Sequence, residues 1–312
     1  PGGSDPVVDL SSSGTVVYAP TTGSRLVWVS RQGAKKPLND ALRSYLNPRL
    51  SPDGKRVLVQ SGDLWIQDIA RATFTRLTSA DWFVYAFPMW TPDGRQVVLR
   101  TQKGLQLMEV DGSGQTRVLA GTSGDDFPGS VSSDGETLVL MRSSREGSFS
   151  FDLYELSLRD PARVRQIVTT PAYEGGGRLS PDGRWLLYVS NDSGQNEVYL
   201  RPFPGPDRRW PISTQGGTQA IWNPNGREIF YRNGDKMMVV EVSTAPDVRL
   251  SPPRLLFEQR YAFGAGITVA NYDVTADGQQ FVMVKDELGA GRLNVVLNWF
   301  SELTKLAPAE NR

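Results

Sequence analysis

Two carboxylates, Asp126 in "GTSGDDFPGS" and Glu174 in "TPAYEGGGR", stand in corresponding loops of neighbouring sequence repeats. Two carboxyl groups held about 5–10 Å apart are the machinery of glycoside hydrolysis, where one protonates the leaving oxygen and the other attacks or activates water. Most other hydrolytic chemistry is closed to this chain. Its 312 residues include no histidine and no cysteine. A Ser-His-Asp triad, a thiolate nucleophile and a His- or Cys-ligated zinc, iron or copper are therefore excluded. Any catalysis must use carboxylates, tyrosines or lysines. A second acidic feature is an aspartate that recurs in "SPDG"-like turns. Calcium needs 6–8 oxygens converging on one point. Turn aspartates spread along the chain do not converge, and no D-x-[DN]-x-[DN]-G loop is present. The sequence thus leads to the expectation of no metal and no cofactor.

Charge narrows the partners. There are 34 basic and 34 acidic side chains, and the sequence pI is near 7.0. Nucleic-acid binding normally shows as basic excess, and membrane-surface binding as a polybasic patch. Neither is present, so no nucleic acid is expected. No run approaches the ~18–20 continuous apolar residues that span a bilayer, so no membrane insertion of this chain is expected. The N-terminal "PGGSDPVVDL" has neither the basic start nor the apolar core of a signal peptide. It lacks Met, so targeting information is expected to lie upstream.

The elements that would position these residues come from a repeat. Aligned on a turn glycine, seven copies read "LSSSG", "LSPDG", "WTPDG", "VSSDG", "LSPDG", "WNPNG" and "VTADG", ending at Gly14, Gly54, Gly94, Gly135, Gly183, Gly226 and Gly278. The intervals are 40, 40, 41, 48, 43 and 52 residues. Each copy is followed by an apolar run such as "KRVLVQ" or "RWLLYVS", then by a second such as "DLWIQDI" or "NEVYLRPF". Most copies close with a third short piece. Short runs rich in Val, Leu and aromatics, bounded by Gly, Pro, Asp and Ser, are strands. No segment sustains helical periodicity over several turns. Four strands per ~40–45 residues is the blade of a β-propeller. A lone blade cannot bury its faces, whereas a ring of blades does. The turn joins the first and second strands. Proline presets φ, Asp bonds a backbone N–H further on, and Gly takes the left-handed φ.

The repeats "LSPDG…LLYVS" followed by "DLWIQDI" or "EVYLRPF" resemble the TolB-type, WD40-like (PD40) propeller repeat over essentially the whole chain. The stretch "LSPDGRWLLYVSNDSGQNEVYLRPFPG", with "WPISTQGGTQAIWNPNGREIFY" and "VTADGQQFVMV" further on, resembles the C-terminal propeller of bacterial receptor-like serine/threonine protein kinases. None of the kinase catalytic motifs is present: no H-R-D, V-A-I-K or D-F-G. The resemblance implies a non-catalytic sensor or interaction module, extracytoplasmic (periplasmic or cell-surface), and tethered by a transmembrane helix outside this chain when the parent is a receptor. It also covers free periplasmic scaffolds. Sialidase-type propellers carry an S-x-D-x-G-x-T-W box that differs from S-P-D-G.

The expected architecture is one all-β domain over 1–312, a propeller of four-stranded antiparallel blades. Seven blades are expected from seven glycines, with six the alternative. The repeats start near 9, 49, 89, 130, 178, 221 and 272. The last blade lacks an outer strand, which "DPVV" or "LTKLA" is expected to supply. The first-to-second strand turns share one face, and the long fourth-to-first loops share the other. Long aromatic-rich loops carry function, so the ligand is expected at the loop face. Tyr45, Trp82, Tyr85, Phe87, Tyr173, Tyr261 and Phe263 form its candidate aromatic rim. Asp125, Asp126, Glu174, Arg178, Gln215 and Gln219 are its candidate polar contacts. Aromatic anchors beside polar groups suit a protein, a peptide or a small-molecule ligand. The competing structural readings are that Trp82–Phe87 packs between blades and that Asp125–Asp126 is a solvated turn. The alternative function is a carboxylate-based, glycosidase- or lyase-like carbohydrate enzyme at the central channel. The chain is expected to be a monomer.

Overall fold

A computed structural model of the chain describes residues 8–11, 15–18, 23–78, 85–143, 150–264, 268–287, 294–297 and 299. Six antiparallel sheets form a ring. Their innermost strands are Leu46–Leu50, Tyr85–Trp90, Asp126–Val131, Glu174–Leu179, Thr218–Trp222 and Tyr272–Val274, which define blades 1 to 6. Blades 1 to 4 and blade 6 have four strands. Blade 5 has five, because Arg249–Leu250 and Arg254–Glu258 both pair with Lys236–Ser243.

Seven blades were expected, and the ring has six. The difference arises where the chain ends meet. Gly23–Ser30 and Lys35–Pro37, which the repeat pattern assigns to a first blade, instead form the outer half of blade 6. Gly23–Ser30 pairs along its whole length with Gln280–Glu287, from Gln280↔Ser30 to Glu287↔Gly23. The hairpin Val8–Leu10 with Val16–Tyr18, around the first turn glycine, is no blade. It pairs with Asn294–Val296 in a separate three-stranded sheet. The repeat near residue 9 therefore adds no blade, and the outer strands of blade 6 come from 23–37 rather than from either expected strap. Gly14 and "LTKLA" lie outside the described residues.

The physical reason is the side-chain pattern of Gly23–Ser30. Val27 and Val29 fall in the apolar layer between blades 5 and 6, with Ile221, Phe230, Tyr272 and Phe281. Leu26 falls in the layer between blades 6 and 1, with Val57, Val59 and Val282. A strand apolar on both faces needs a blade on either side, and the open edge of Gln280–Glu287 provides that position. Four further clusters fill the seams between blades 1 and 2, 2 and 3, 3 and 4, and 4 and 5. Six seams with six apolar layers leave no gap in the ring. Each fully buried Val, Leu, Ile or Phe in them contributes about 1.5–3 kcal/mol.

The turns behave as their composition requires. Ser51, Thr91, Ser132, Ser180 and Thr275 each donate a hydroxyl proton to the Asp two residues on, at 2.5–2.6 Å. Each of these carboxylates also accepts the N–H two residues further along, at 2.9–3.1 Å. In blade 5, Asn223 and Asn225 replace the pair, and Asn225 Oδ1 accepts from Arg227 N at 2.8 Å. The six described turn glycines have φ between +66° and +74°, a region that disfavours a Cβ. Every turn carboxylate is thus committed to its own hairpin.

Candidate functional site

The central channel is lined by the residue two positions before each turn Ser, Thr or Asn. Blade by blade these are Arg49, Met89, Ser130, Arg178, Ile221 and Asp273, and all six border one cavity of about 310 Å³. Pro52, Pro92, Ser133, Pro181 and Pro224 also border it, so it opens at the turn end of the channel. Leu50, Trp90, Val131, Leu179 and Trp222 complete an apolar wall. In blades 1, 4 and 5 a bulge in the inner strand precedes the residue that lines the channel. The ladder shifts between Leu46 and Arg49, Gly175 and Arg178, and Thr218 and Ile221. At those bulges Asn47, Gly176 and Gln219 take φ of +52°, +66° and +54°.

Two arginines from opposite blades share this cavity. Arg49 is 3% exposed. Its Nη1 donates to Pro48 O at 2.8 Å and Tyr272 O at 3.3 Å, and Nη2 donates to Ala270 O at 2.8 Å. Its Nε has no acceptor. Arg178 donates from Nη1 to the thioether of Met89 at 3.7 Å, a weak acceptor. Among the described residues neither arginine forms an ion pair. Asp273 is the acid of the ring, but its oxygens accept from Leu50 N and Val274 N, both at 2.9 Å. Burial, then the Arg178 charge, push Arg49 down to about 9, against the pull of Asp273. Burial likewise lowers Arg178. Both remain cationic at neutral pH, with their charge poorly compensated. A third donor borders the same space: Trp222 is 8% exposed, and its Nε1 has no partner.

The loop end of the channel is occupied by the chain itself. In the segment joining blade 5 to blade 6, residues 261–263 lie against blades 5 and 6, and residues 268 and 269 against blades 3 and 4. Thr268 Oγ1 is 2.7 Å from Tyr173 Oη, and Val269 packs in the layer between blades 3 and 4. Arg232 donates to Ala262 O and Tyr261 O, both at 3.1 Å, and lies 3.8 Å from the centre of the Phe263 ring. Gln219 Nε2 donates to Phe263 O at 2.7 Å, and Asn271 Nδ2 to Ala262 O at 3.1 Å. "EGGGR" makes the close approach possible. A Cβ on Gly176 would meet Thr268 O at 2.5 Å.

The candidate residues read from the loops are distributed accordingly. Arg178 borders the cavity. Tyr45, Phe87 and Tyr261 are buried in inter-blade layers. Gln219 and Phe263 anchor the joining segment, as Tyr173 does through its hydroxyl. Asp125 and Gln215 are exposed. Tyr85 begins the inner strand of blade 2, and Trp82 lies outside the described residues. Phe87 and Tyr173 are linked through Phe127 and Phe151 in an edge-to-face row, with centroids 5.5, 5.3 and 5.7 Å apart.

The two candidate acids have different surroundings. Asp126 is fully buried rather than a solvated turn. Arg142 forks onto its two oxygens at 2.7 and 2.8 Å, and Ser123 N donates at 2.8 Å. Glu174, also 0% exposed, accepts from Thr170 Oγ1 at 2.5 Å. Its other oxygen has no partner. Burial raises its pKa, and Asp152 adds to the rise. Neither acid borders the cavity.

Arg49, Met89, Asp273 and Trp222 were not legible as site residues. For Arg49, Met89 and Asp273 the signal is an offset: two positions before the turn residue, the repeats read Arg, Met, Ser, Arg, Ile and Asp, whereas the turn itself hardly varies; Trp222 stands one position before Asn223. Two larger grooves, about 580 and 760 Å³, lie off the axis. The first is lined by charges of both signs, including the ion-paired Arg159 and Glu136.

No family model matches the chain. A Tricorn-like protease C-terminal subunit from Sulfurisphaera tokodaii is 23% identical over 141 residues, which is 43% of this chain but only 16% of that protein's length. Among solved structures, a TolB-like protein from Agrobacterium tumefaciens superimposes with a TM-score of 0.68 at 17% identity, over 85% of this chain and 99% of that one. TolB from Acinetobacter baumannii gives 0.55 at 18% identity, over 74% of this chain and 64% of that one. An oligogalacturonate lyase in complex with manganese gives 0.57 at 13% identity, over 95% and 82%. The chain therefore has the TolB-type propeller fold, and the lyase shows that an enzyme can have a similar fold.

Proposed function

We propose that this chain is a non-catalytic binding propeller whose ligand enters the central channel from the turn end. The observation that carries the reading is the cavity there, bordered by Arg178, Arg49 and Trp222, residues with donors that lack an oxygen acceptor, while described residues of the chain's own blade 5 to blade 6 segment fill the loop end. A pocket of a few hundred Å³ with an apolar wall and a few convergent polar groups is the usual form of a ligand site. The carboxylates needed for glycosidase chemistry do not border it, which favours binding over catalysis. The repeat resemblance supports a sensor or scaffold role outside the cytoplasm, including that of a propeller attached to a receptor-like kinase. A second reading places a partner on the loop face, and the row Phe87–Phe127–Phe151–Tyr173 favours it.

Fragment binding followed by NMR separates the two. In a screen of anionic, neutral and cationic fragments, those that bind should perturb the indole signals of Trp90 and Trp222. Ser133→Trp, which obstructs the cavity mouth from an exposed position, should abolish the effect. Perturbation confined to Phe127 and Phe151 would support the loop-face reading instead. Hydrolysis of a polysaccharide that Glu174→Gln abolishes would establish the enzyme.

A further inference from the structure

We infer that the turn-end cavity is a carboxylate site, with Arg178, Arg49 and Trp222 supplying the donors; this rests on the channel-binding reading above. The argument begins with an imbalance. Buried polar groups in proteins are almost always hydrogen-bonded. Here Arg49 Nε and Trp222 Nε1 are both buried without a partner, and both residues border one cavity. Arg178, on the same wall, reaches no oxygen: its hydrogen bond goes to Met89 Sδ. All three are donor-only groups. The matching ligand is acceptor-only.

Charge selects among acceptors. The channel ring carries two arginines and one aspartate, so its formal charge is 2 − 1 = +1. A singly charged carboxylate neutralises it. A phosphate dianion would leave a net negative charge among apolar walls. Asp273 does not take the ligand's place: its oxygens accept from Leu50 N and Val274 N, and among the described residues it forms no ion pair with either arginine. The guanidinium fork matches the two oxygens of a carboxylate, and charge-assisted bonds of this kind are about twice as strong as neutral ones. The wall formed by Leu50, Met89, Val131, Leu179 and Ile221 calls for an apolar group beside the carboxylate.

The test uses the whole chain at constant ionic strength, with N-acetyl-L-leucine as probe and N-acetyl-L-leucinamide as its neutral isostere. Tryptophan fluorescence and calorimetry give the affinities. The acid should bind at least about tenfold more tightly than the amide, the equivalent of one charge-assisted hydrogen bond. Arg178→Gln should remove that preference while leaving the melting temperature nearly unchanged. Trp222→Phe, which keeps the ring and removes the N–H, should weaken the acid more than the amide, and it serves if Arg178→Gln fails to fold. A leucine-terminated peptide with a free C-terminus identifies the source. Tighter binding than N-acetyl-leucine assigns a chain end, and equal binding assigns a free small acid. Equal affinity for acid and amide, or tighter binding of inorganic phosphate, overturns the carboxylate assignment but leaves channel binding intact. No binding by any probe overturns both.

Discussion

Arg31 and Glu228, 197 residues apart, form a two-pronged ion pair across the seam between blades 6 and 5. Nη1 donates to Oε2 at 2.9 Å and Nη2 to Oε1 at 2.6 Å. Nη1 also reaches Gly278 O at 3.1 Å. The side chains are only 13% and 16% exposed. Arg31 directly follows Gly23–Ser30, so this pair ties the N-terminal contribution to blade 6 onto blade 5.

Arg31→Ala should therefore lower unfolding free energy by about 1–3 kcal/mol, the range for charged hydrogen bonds in partly buried sites. The Arg31 guanidinium holds the Glu228 carboxyl below its ordinary value, against burial. A depressed carboxylate stabilises above the ordinary glutamate pKa, and that stability is lost as pH falls through the folded-state value. Denaturant melts from neutral pH to acid should show a steeper acid loss in the wild type than in Arg31→Ala. Parallel curves would mean that the pair contributes nothing.

Gly176 and Gly54 share a positive φ, +66° and +68°, but not a neighbourhood. A Cβ on Gly54 meets nothing within 4 Å, whereas one on Gly176 meets Thr268 O at 2.5 Å. Gly54→Ala should cost about 1–2 kcal/mol from backbone strain. Gly176→Ala should cost clearly more, since the joining segment must also move. Thermal melts of both variants check the order; a smaller loss at Gly176 would remove the case for tight closure of the loop end.

Glu174 titrates in the opposite sense to Glu228. Its folded-state pKa is raised by burial and by Asp152. Stability should then fall as pH rises from the ordinary glutamate value through the raised one. Glu174→Gln, which can still accept from Thr170, should abolish that fall and be the more stable protein at neutral pH. A variant less stable at every pH would show that the ionised carboxylate is needed.

The turn aspartates offer a repeated measurement. Hydroxyl bonds from Ser51, Thr91, Ser132 and Thr275 lead the lowering at Asp53, Asp93, Asp134 and Asp277. At Asp182 burial opposes, and the bonds from Ser180 and Arg184 prevail. Carboxyl-carbon NMR should show all five titrating below the ordinary aspartate value. Ser51→Ala should move Asp53 back toward that value and leave the other four in place.

The sequence alone determined the strands, the hairpin chemistry and the propeller class. These depend on contacts within about forty residues: alternating apolar runs, and a Ser, an Asp and a Gly at fixed offsets in one turn. Residues 46–50 and 56–61 pair as their own composition requires. The blade count was decided by tertiary structure, because Gly23–Ser30 has a choice of partners and Gln280–Glu287 lies some 250 residues away. The location of the site was decided in the same way. Arg49 and Arg178 acquire a shared cavity only when six inner strands converge on one axis, and the loop end closes only when Thr268 reaches the glycines of blade 4. Local rules specify each blade, but closure of the ring and the groups that meet inside it are long-range contacts, with no trace in any single repeat.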